Sequence, residues 1–323
     1  MIIIGTNDVG PMRYLLEIDK YLMNSYWVAS NTTKPFLKQK KLIKNWKEKK
    51  ISLVITGTSV GYKIDKKLIE YSKKEKIASI TIVESWGNFK ERFFYKNNFF
   101  LSDYIILNDI KAYTQAINVG IPKNNIFIGG NTILEKLSKY KIENLNKNKW
   151  LKKNDLPINK KIVSYISEPF HEVFLRKHKF LYGFDEYSCL SDLKECLDTN
   201  KFHIIIKKHP SDSINKYEKF FNGNISLLNK MKIDEIVNFS DYIIGMSSFL
   251  ILKLTYFRDD VVSYMPNSKK FFICRFFNNT INLNTKNQLF DFFKKNTIIS
   301  KTKKSPNFKG SLKKILKFIE EKK

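Results

Sequence analysis

The sequence predicts an α/β protein built from two doubly wound domains, each with a parallel sheet. Short apolar runs alternate with helix-length amphipathic segments along the chain. Most of these runs are continuous rather than alternating, which is typical of strands covered on both faces in a parallel sheet. A lysine- and asparagine-rich stretch at 139–160 separates the runs into two groups. Alternation of such strands with helices indicates an α/β architecture.

The runs predict strands in both halves, with a domain boundary near residue 150. In the first domain, residues 1–150, they are MIIIG (1–5), SLVITG (52–57), SITIVE (79–84), DYIILN (103–108) and NIFIGG (125–130). In the second, residues 151–323, they are KIVSYIS (161–167), FHIIIK (202–207), ISLL (225–228), DYIIG (241–245) and DVVSYM (260–265). Apolar residues at helical spacing in 310–323 predict a terminal helix, which we assign to the second domain.

The chain is strongly basic, with 58 Lys and Arg against 31 Asp and Glu and a formal charge of +27. This excess favours an anionic partner, such as a membrane leaflet, a nucleic acid or a phosphate-bearing substrate. The competing explanation is compositional drift, because Asn, Ile and Phe are over-used as well. The lysines are spread along the chain and no nucleic-acid-binding motif is present, so a nucleic-acid partner is not favoured.

Cysteine usage and hydropathy predict a cytoplasmic protein, or one attached peripherally to the inner membrane face. Cys189, Cys196 and Cys274 are isolated, which favours neither a disulfide framework nor a zinc site. The start lacks the pattern of a signal peptide. The apolar stretch YIIGMSSFLILKL is shorter than the ~20 residues that span a bilayer. Because metal-ligand clusters and the common nucleotide fingerprints are missing, we expect no cofactor and no metal.

The stretch FHIIIKKHPSD places two lysines and an imidazole at the end of a predicted buried strand. Ligands of parallel sheets bind at the carboxyl ends of the strands. Lys207, Lys208 and His209 can all donate hydrogen bonds to phosphate oxygens, and Pro210 stiffens the exit from the strand. These residues are therefore candidate phosphate ligands, and the plain alternative is a solvated basic turn.

A second candidate follows the strand DYIIG, where Gly245, Ser247 and Ser248 precede an apolar helix. Serine is a favoured N-cap, and the N–H groups of a helix start bind anions. Neighbouring strand ends of one domain could hold the same diphosphate. An ordinary N-cap on a core helix is the alternative. Glu168, with His171 beyond it, follows the strand at 161–167 and is a weaker candidate at the same edge.

The first domain offers candidates in the loop GTNDVGP after its first strand, namely Gly5, Asn7, Asp8 and Gly10. A carboxylate at this position could act as general base toward a sugar hydroxyl, although Asp8 is equally explained as a helix cap. Pro11 suits a first helical turn.

The stretch ESWGNFKERF after the third predicted strand combines an acid, an aromatic ring and an amide. Glu84, Trp86, Asn88 and Arg92 suit contacts with sugar hydroxyls and C–H groups, and a Trp packed under a loop is the alternative. Asn131, in the turn GGN after 125–128, is the last candidate sugar contact.

The motifs KKHP and GMSS together resemble the HP and Ser-Ser/Thr motifs of bacterial sialyltransferases. Similar turns occur in capsule-type glycosyltransferases and CDP-glycerol glycerophosphotransferases of the GT-B fold. NDVG resembles the acidic motif of those sialyltransferases, and ESWGNFKERF with SDYIILND and IFIGGN looks like the acceptor-domain half of capsule and lipooligosaccharide transferases. The resemblance implies two Rossmann-like domains with a cleft between them.

The resemblance also implies roles. His209 would stabilise the leaving nucleotide, and Ser247 and Ser248 would hold its phosphate. Asp8 would be the general base. Glu84 is the second candidate for the base, because Asn7 and Val9 depart from the acidic motif. The expected activity is metal-independent transfer of a sialic-acid-like or Kdo-like sugar in surface-polysaccharide synthesis. The partners would be a nucleotide-activated donor, with CMP favoured, and a glycan or lipid-linked acceptor, with an anionic membrane surface as a further partner.

Three other hypotheses stay open. A nucleotide-sugar 2-epimerase or hydrolase would release UDP without an acceptor, and a CDP-glycerol glycerophosphotransferase would use CDP-glycerol. A basic module that binds RNA or anionic lipid would show steep salt dependence and no nucleotide specificity.

Overall fold

The structure, a computed structural model, describes residues 1–96, 98–172, 183–209, 212–213, 215–228, 231–268, 277, 279–294 and 306–323. The chain divides into two compact units. The first contains Met1–Lys139 and Asn307–Lys323, and the second contains Tyr140–Pro306. The prediction placed the boundary near residue 150 and the terminal helix in the second domain. In the structure the division falls eleven residues earlier than that, between 139 and 140, and the terminal helix belongs to the first unit.

The first unit contains a parallel sheet of six strands in the order β2-β1-β3-β4-β7-β8, together with a two-stranded antiparallel hairpin, β5 and β6. The strands are β1 Ile2–Thr6, β2 Ser25–Ala29, β3 Leu53–Thr56, β4 Ala78–Ile82, β5 Phe94–Tyr95, β6 Asn98–Phe99, β7 Tyr104–Leu107 and β8 Ile126–Ile128. Its α-helices are Val9–Asp19, Ile64–Lys74, Phe89–Phe93, Ile110–Asn118, Thr132–Ser138 and Ser311–Glu321. Short 3-10 helices cover Lys34–Phe36, Gln39–Lys41, Trp46–Glu48 and Lys123–Asn125.

The second unit contains a second parallel sheet of six strands in the order β11-β10-β9-β12-β13-β14. The strands are β9 Lys161–Ile166, β10 Phe202–Lys207, β11 Ile225–Leu228, β12 Tyr242–Gly245, β13 Val261–Tyr264 and β14 Ile281–Leu283. Its α-helices are Lys147–Lys153, Glu186–Cys196, Ile233–Phe239, Phe249–Leu254 and Lys286–Lys294, and a 3-10 helix covers Glu218–Phe220. The predicted fold class, two Rossmann-like domains with parallel sheets, is confirmed.

Continuous apolar strands form because each sheet is covered on both faces. In β1, Ile2 and Ile4 belong to one buried cluster, whereas Ile3 belongs to another on the opposite face. In the second unit, Val163 and Ile162 of β9 divide between two clusters in the same way. Successive side chains of a strand point to opposite faces, so a strand between two helical layers needs apolar residues at every position.

The terminal helix Ser311–Glu321 joins the first unit through its apolar side. Ile315 and Ile319 are fully buried, and the ring of Phe318 stacks on Phe127 of β8 with centroids 4.1 Å apart. The carboxylate of Glu135 accepts hydrogen bonds from the backbone N–H groups of Gly310 and Leu312 at the start of this helix. Packing contacts, rather than proximity in sequence, therefore determine the unit to which this helix belongs.

None of the helices in the described part of the chain has both the length and the apolar character needed to cross a membrane.

Candidate functional site

The second unit brings the ends of three neighbouring strands to the same level. Lys207 at the end of β10 and Gly245 at the end of β12 both pair with Ile166, the last residue of β9. Counted from β9, the strand order corresponds to the doubly wound order 3-2-1-4-5-6, in which the switch point lies between the first and fourth strands. The loops after β9 and β12 therefore flank the position where sheets of this type bind ligands.

The basic turn after β10 lies one strand away from this switch point and is tightly hydrogen-bonded. The backbone N–H of His209 donates to Asp212 Oδ2 at 2.9 Å, and the N–H of Asp212 donates back to the His209 carbonyl at 3.1 Å. Lys207 Nζ donates to the Lys208 carbonyl at 2.8 Å, and Lys208 Nζ to the Ser213 carbonyl at 2.9 Å. Pro210 lies outside the described residues.

Burial lowers the pKa of His209 below its usual value, and the Asp212 carboxylate offsets only part of this effect. Burial likewise lowers the pKa of Lys207. A histidine ordinarily titrates near ~6.5, so a lowered pKa leaves His209 mainly neutral at neutral pH. It can then donate one hydrogen bond to a phosphate oxygen without carrying a full charge.

Glu168 occupies the switch point itself. Its Oε1 accepts a hydrogen bond from the backbone N–H of Ser247 at 2.5 Å. Burial raises the pKa of Glu168 to about 8, against the opposing effect of backbone hydrogen bonds from Ser247 and Ser248. The sequence argument offered these backbone donors to a phosphate, but in the structure an internal carboxyl group already binds them.

The two serines and the glycine also have structural duties here. Ser248 Oγ accepts from the N–H of Ile251 at 3.2 Å, which confirms the N-cap alternative for this residue. A Cβ on Gly245 would lie 2.7 Å from the Ile251 side chain and 3.0 Å from the Ile166 carbonyl. Gly245 is therefore a packing residue of β12, and we remove it from the candidate phosphate contacts.

Sequence reasoning missed a buried lysine beneath the basic turn. The Lys216 side chain is 1% exposed, and its ammonium lies 2.9 Å from Glu172 Oε2 and 2.7 Å from Asp212 Oδ1, with Glu186 as a third carboxylate partner. Lysine is almost never fully buried unless it is paired. The sequence offered no signal for this arrangement beyond the spacing of Asp212 and Lys216, because Glu172 and Glu186 come from distant segments.

The first unit has a comparable edge. Its strand order β2-β1-β3-β4 matches the doubly wound order 2-1-3-4-5, whose switch point lies between the first and third strands. The loops after β1 and β3 meet there, since the N–H of Asn7 donates to Ser59 Oγ at 3.3 Å. Asn7 Nδ2 donates to Asp8 Oδ1 at 3.0 Å. Asp8 precedes the helix Val9–Asp19 but makes no side-chain cap hydrogen bond, so the capping alternative does not account for it.

Glu84 and Arg92 form an ion pair at the same edge. Arg92 Nη1 lies 3.3 Å from Glu84 Oε1 and donates to Thr58 Oγ1 at 2.7 Å. Burial raises the pKa of Glu84, and the charge of Arg92 offsets part of this rise. A Cβ on Gly10 would lie 3.5 Å from Glu84 Oε1, so the carboxyl group borders the first turn of the helix Val9–Asp19. The structure thus brings together Asp8, Gly10, Glu84 and Arg92.

A second buried lysine, also missed, supports this edge. Lys66 is 1% exposed, and its ammonium donates to the carbonyls of Ser59 and Arg92 at 2.8 and 2.7 Å. Its charge partner is Asp65, at 3.6 Å, whose Oδ2 accepts the N–H of Ser59. Lys66 therefore ties the loop after β3 to the segment that carries Arg92.

Three predicted sugar contacts have structural roles instead. Trp86 is 4% exposed, its Nε1 donates to Asp109 Oδ2 at 2.9 Å, and its ring lies beside Phe308. Asn131 is fully buried and caps the helix Thr132–Ser138. Gly5 lies inside β1, where a Cβ would come within 2.3 Å of Leu68 Cδ1. We remove these three residues from the candidate set, because burial leaves no surface for a sugar.

Asn88 is exposed, in a left-handed backbone conformation with φ of 59°, directly before the helix that carries Arg92. Its role as a sugar contact stays a prediction. Within the described residues, no group of three or more His, Cys, Asp or Glu is placed to hold a metal ion.

Comparison with protein-family models and with curated proteins finds no match. Solved structures match over most of the chain. The Methanocaldococcus jannaschii UDP-GlcNAc 2-epimerase in complex with UDP-GlcNAc and UDP is 15% identical, with a TM-score of 0.63 and 99% of each chain covered. The S. aureus MnaA–UDP structure is 12% identical, with a TM-score of 0.62, covering 99% of this chain and 95% of that one. Anabaena Alr3699/HepE in complex with UDP-glucose is 13% identical, with a TM-score of 0.61, covering 91% and 88%.

These similarities define the class of fold. The chain has the GT-B-like architecture of two Rossmann-like domains, as the sequence resemblance implied, and it shares this fold with UDP-GlcNAc 2-epimerases. The prediction of glycosyl transfer is wrong, because several UDP-GlcNAc 2-epimerases match this chain over 98–99% of its length. They favour the alternative of a nucleotide-sugar 2-epimerase.

Proposed function

We propose that this protein is an enzyme that acts on a UDP-linked sugar without an acceptor, by inverting the configuration at C2. The observation that carries this proposal is the match over 99% of the chain to a UDP-GlcNAc 2-epimerase that holds UDP-GlcNAc and UDP. Hydrolysis that releases UDP and free sugar is the second candidate. It stays open because Alr3699/HepE, which has been solved with UDP-glucose, has also been solved with UDP and glucose, the two products that hydrolysis of UDP-glucose would give.

The second unit would hold the nucleotide. Lys207, Lys208 and His209 stand at the end of β10, one strand from the switch point, and their donors suit a diphosphate. The serines after β12 stay in this proposal as neighbours of the same ligand. We infer that the nucleotide is UDP, in place of the CMP that the sequence resemblance favoured, because UDP recurs among the structural neighbours.

The first unit would supply acid–base chemistry. Inversion at C2 breaks the C2–H bond, and because no carbonyl adjoins C2, the electron pair left there must displace UDP from C1 and form a C1=C2 double bond. UDP then adds back to C1 as a proton is returned to the opposite face of C2, so the reaction needs two groups that exchange protons. Glu84 and Asp8 are the carboxyl groups at the switch point of this unit. A raised pKa makes Glu84 able to hold a proton closer to neutral pH, which is suited to the acid role. Asp8 would then act as the base, and Arg92 would orient Glu84.

The activity test uses UDP-GlcNAc in D₂O followed by ¹H and ³¹P NMR. Epimerisation predicts a new UDP-sugar with deuterium at C2 and an intact diphosphate. Hydrolysis predicts free UDP and free sugar without deuterium at C2. No change in either signal, together with no UDP-induced rise in melting temperature, would overturn the proposal. A parallel panel of CMP, UDP, GDP and CDP tests the choice of base.

Substitution separates the two proposed functions of the units. Glu84→Gln should abolish turnover and leave UDP binding unchanged, whereas His209→Ala should weaken UDP binding. Glu91→Gln is the matched control for the first variant, because Glu91 is exposed on the helix that carries Arg92. Equal turnover in Glu84→Gln and Glu91→Gln would remove Glu84 from the acid–base pair. A cytoplasmic location and peripheral membrane attachment stay predictions.

A further inference from the structure

Lys216 is a buried cation shared by three carboxylates that belong to three different segments. Glu172 follows β9, Glu186 is the first residue of the helix Glu186–Cys196, and Asp212 lies in the turn after β10. The Lys216 side chain is only 1% exposed, and its ammonium also lies 5.6 Å from the centre of the Tyr217 ring. One lysine therefore ties together the loop after β9, the turn after β10 and a helix start.

Asp212 connects this cation to the candidate phosphate ligand. One of its oxygens, Oδ1, accepts from Lys216 at 2.7 Å. The other, Oδ2, accepts the backbone N–H of His209 at 2.9 Å and the hydroxyl of Ser167 at 3.3 Å. Because the carboxyl group is planar, fixing one oxygen on Lys216 fixes the direction of the other. The backbone of His209 is thus oriented by a buried lysine that does not touch it directly.

The cluster also sets the charge beneath the turn. The titratable groups that act on His209 are Asp212, Lys216, Lys207 and Glu172. Glu186 is completely buried and reaches the cluster through Lys216. With Lys216 removed, unpaired carboxylates would remain close to a site proposed for a diphosphate, and like charges repel.

We propose that Lys216 is a positioning residue for the nucleotide phosphates, acting through Asp212 on the backbone of His209. This inference deepens the proposed function and rests on it. It assigns to the buried lysine a task that Lys207 and Lys208, the half-buried lysines of the same turn, do not have. Lys207 and Lys208 would face the ligand, whereas Lys216 would hold the turn in the conformation that binds it.

The first test follows the imidazole of His209 by NMR in the ligand-free protein. Lys216→Met removes a cation near His209 and should raise its pKa, whereas Asp212→Asn removes an anion and should lower it. Mere loosening of the turn would move both variants in the same direction, toward the value of a solvated histidine. Lys201→Met removes an exposed lysine from the same unit and should leave the titration unchanged. An unchanged His209 titration in both cluster variants would overturn the inference.

The second test measures the Kd of UDP by calorimetry. Lys216→Met and Asp212→Asn should each weaken UDP binding by about tenfold, which corresponds to 1.4 kcal/mol. Their double variant should lose less than the product of the two effects, because both act through one chain of contacts. If Lys216→Met does not fold, the UDP affinity of Asp212→Asn alone tests the positioning role. Wild-type affinity in the cluster variants would refute the positioning role, whereas absence of UDP binding to the wild type would instead refute the proposed function.

Discussion

Glu168→Gln probes the carboxyl group at the switch point of the second unit. Glu168 is 7% exposed, and its Oε1 accepts the backbone N–H of Ser247 at 2.5 Å. Burial raises its pKa from 4.5 to about 8, hydrogen bonds from the backbone of Ser247 and Ser248 work against this rise, and the charge of Glu186 adds to it. A glutamine has nearly the same shape, keeps an acceptor for the Ser247 N–H and cannot ionise. The substitution therefore isolates the effect of the charge.

The sign follows from linkage between protonation and folding. Because the pKa in the folded state lies above its unfolded value, the protonated form favours folding. The stabilising contribution is complete below pH 4.5 and is lost as the pH rises through about 8. The difference between these values, at about 1.4 kcal/mol for each pKa unit, gives an upper limit of about 5 kcal/mol. Water entering around the ionised group would reduce it, so we expect about 2–3 kcal/mol.

The assay is urea unfolding of the wild type and Glu168→Gln at several values between about pH 5 and pH 9. The two proteins should have similar free energies of unfolding at the acidic end, and the glutamine variant should be the more stable at the alkaline end. Glu218→Gln, which changes an exposed glutamate of the same unit, provides the control. Parallel curves for wild type and Glu168→Gln across this range would refute the reasoning, because they would mean that Glu168 titrates equally in the folded and unfolded states.

Three further predictions concern the first unit. Gly130→Ala should destabilise this unit by about 2–3 kcal/mol, because the φ angle of Gly130 is +101° and a Cβ there would lie 2.0 Å from Ser311 Oγ. Thermal unfolding should show no such loss for the control Gly87→Ala, where a Cβ meets nothing within 4 Å. Ile315→Ala should lower the free energy of unfolding in urea by about 2–4 kcal/mol, since the side chain is fully buried. A loss as small as that of Lys317→Ala, a variant at an exposed site, would contradict the packing of the terminal helix on the first unit. Lys66→Met should cost about 3 kcal/mol at neutral pH, since it leaves a buried carboxyl group without its cation, and an unchanged unfolding midpoint would show that the pair contributes nothing.

Most of the strands that sequence reasoning found are almost completely buried, and the half-buried strands β8 and β11 were found because they too are mainly apolar. All ten predicted strands are present, with ends within about two residues of the structure, a usual margin for such boundaries. The missed strands are marginal. Ser25–Ala29 is an edge strand that mixes polar and aromatic residues, and Ile281–Leu283 is three residues long with Asn282 at its centre. Edge position alone does not explain these misses, because the edge strands β8 and β11 were predicted. The polar residues within Ser25–Ala29 and Ile281–Leu283 shorten the apolar run.

The sequence predicted those parts of the site that lie directly after strands. The motifs after β9, β10 and β12 are local in sequence, and the parallel sheet brings them to one edge. The buried lysines could not be found in this way. Their burial depends on carboxylates and carbonyls from remote segments, and in a chain with 58 Lys and Arg a lysine is expected at the surface. The same lack of long-range information hid the burial of Asn131, and it left a packed Trp86 as only one of two alternatives.

Both units therefore place a buried lysine beneath the loops that carry candidate residues. Lys66 donates to the carbonyls of Ser59 and Arg92, and Lys216 holds Asp212 behind His209. Replacing a buried ion pair by well-packed apolar groups is often neutral or stabilising, so such a pair is weak evidence for a stability role. What an apolar group cannot supply is a fixed direction for backbone and carboxylate partners. Both cations lie at the carboxyl-end edges of the sheets, rather than in the middle of the cores, and this placement is therefore better explained by the geometry that they impose on these loops.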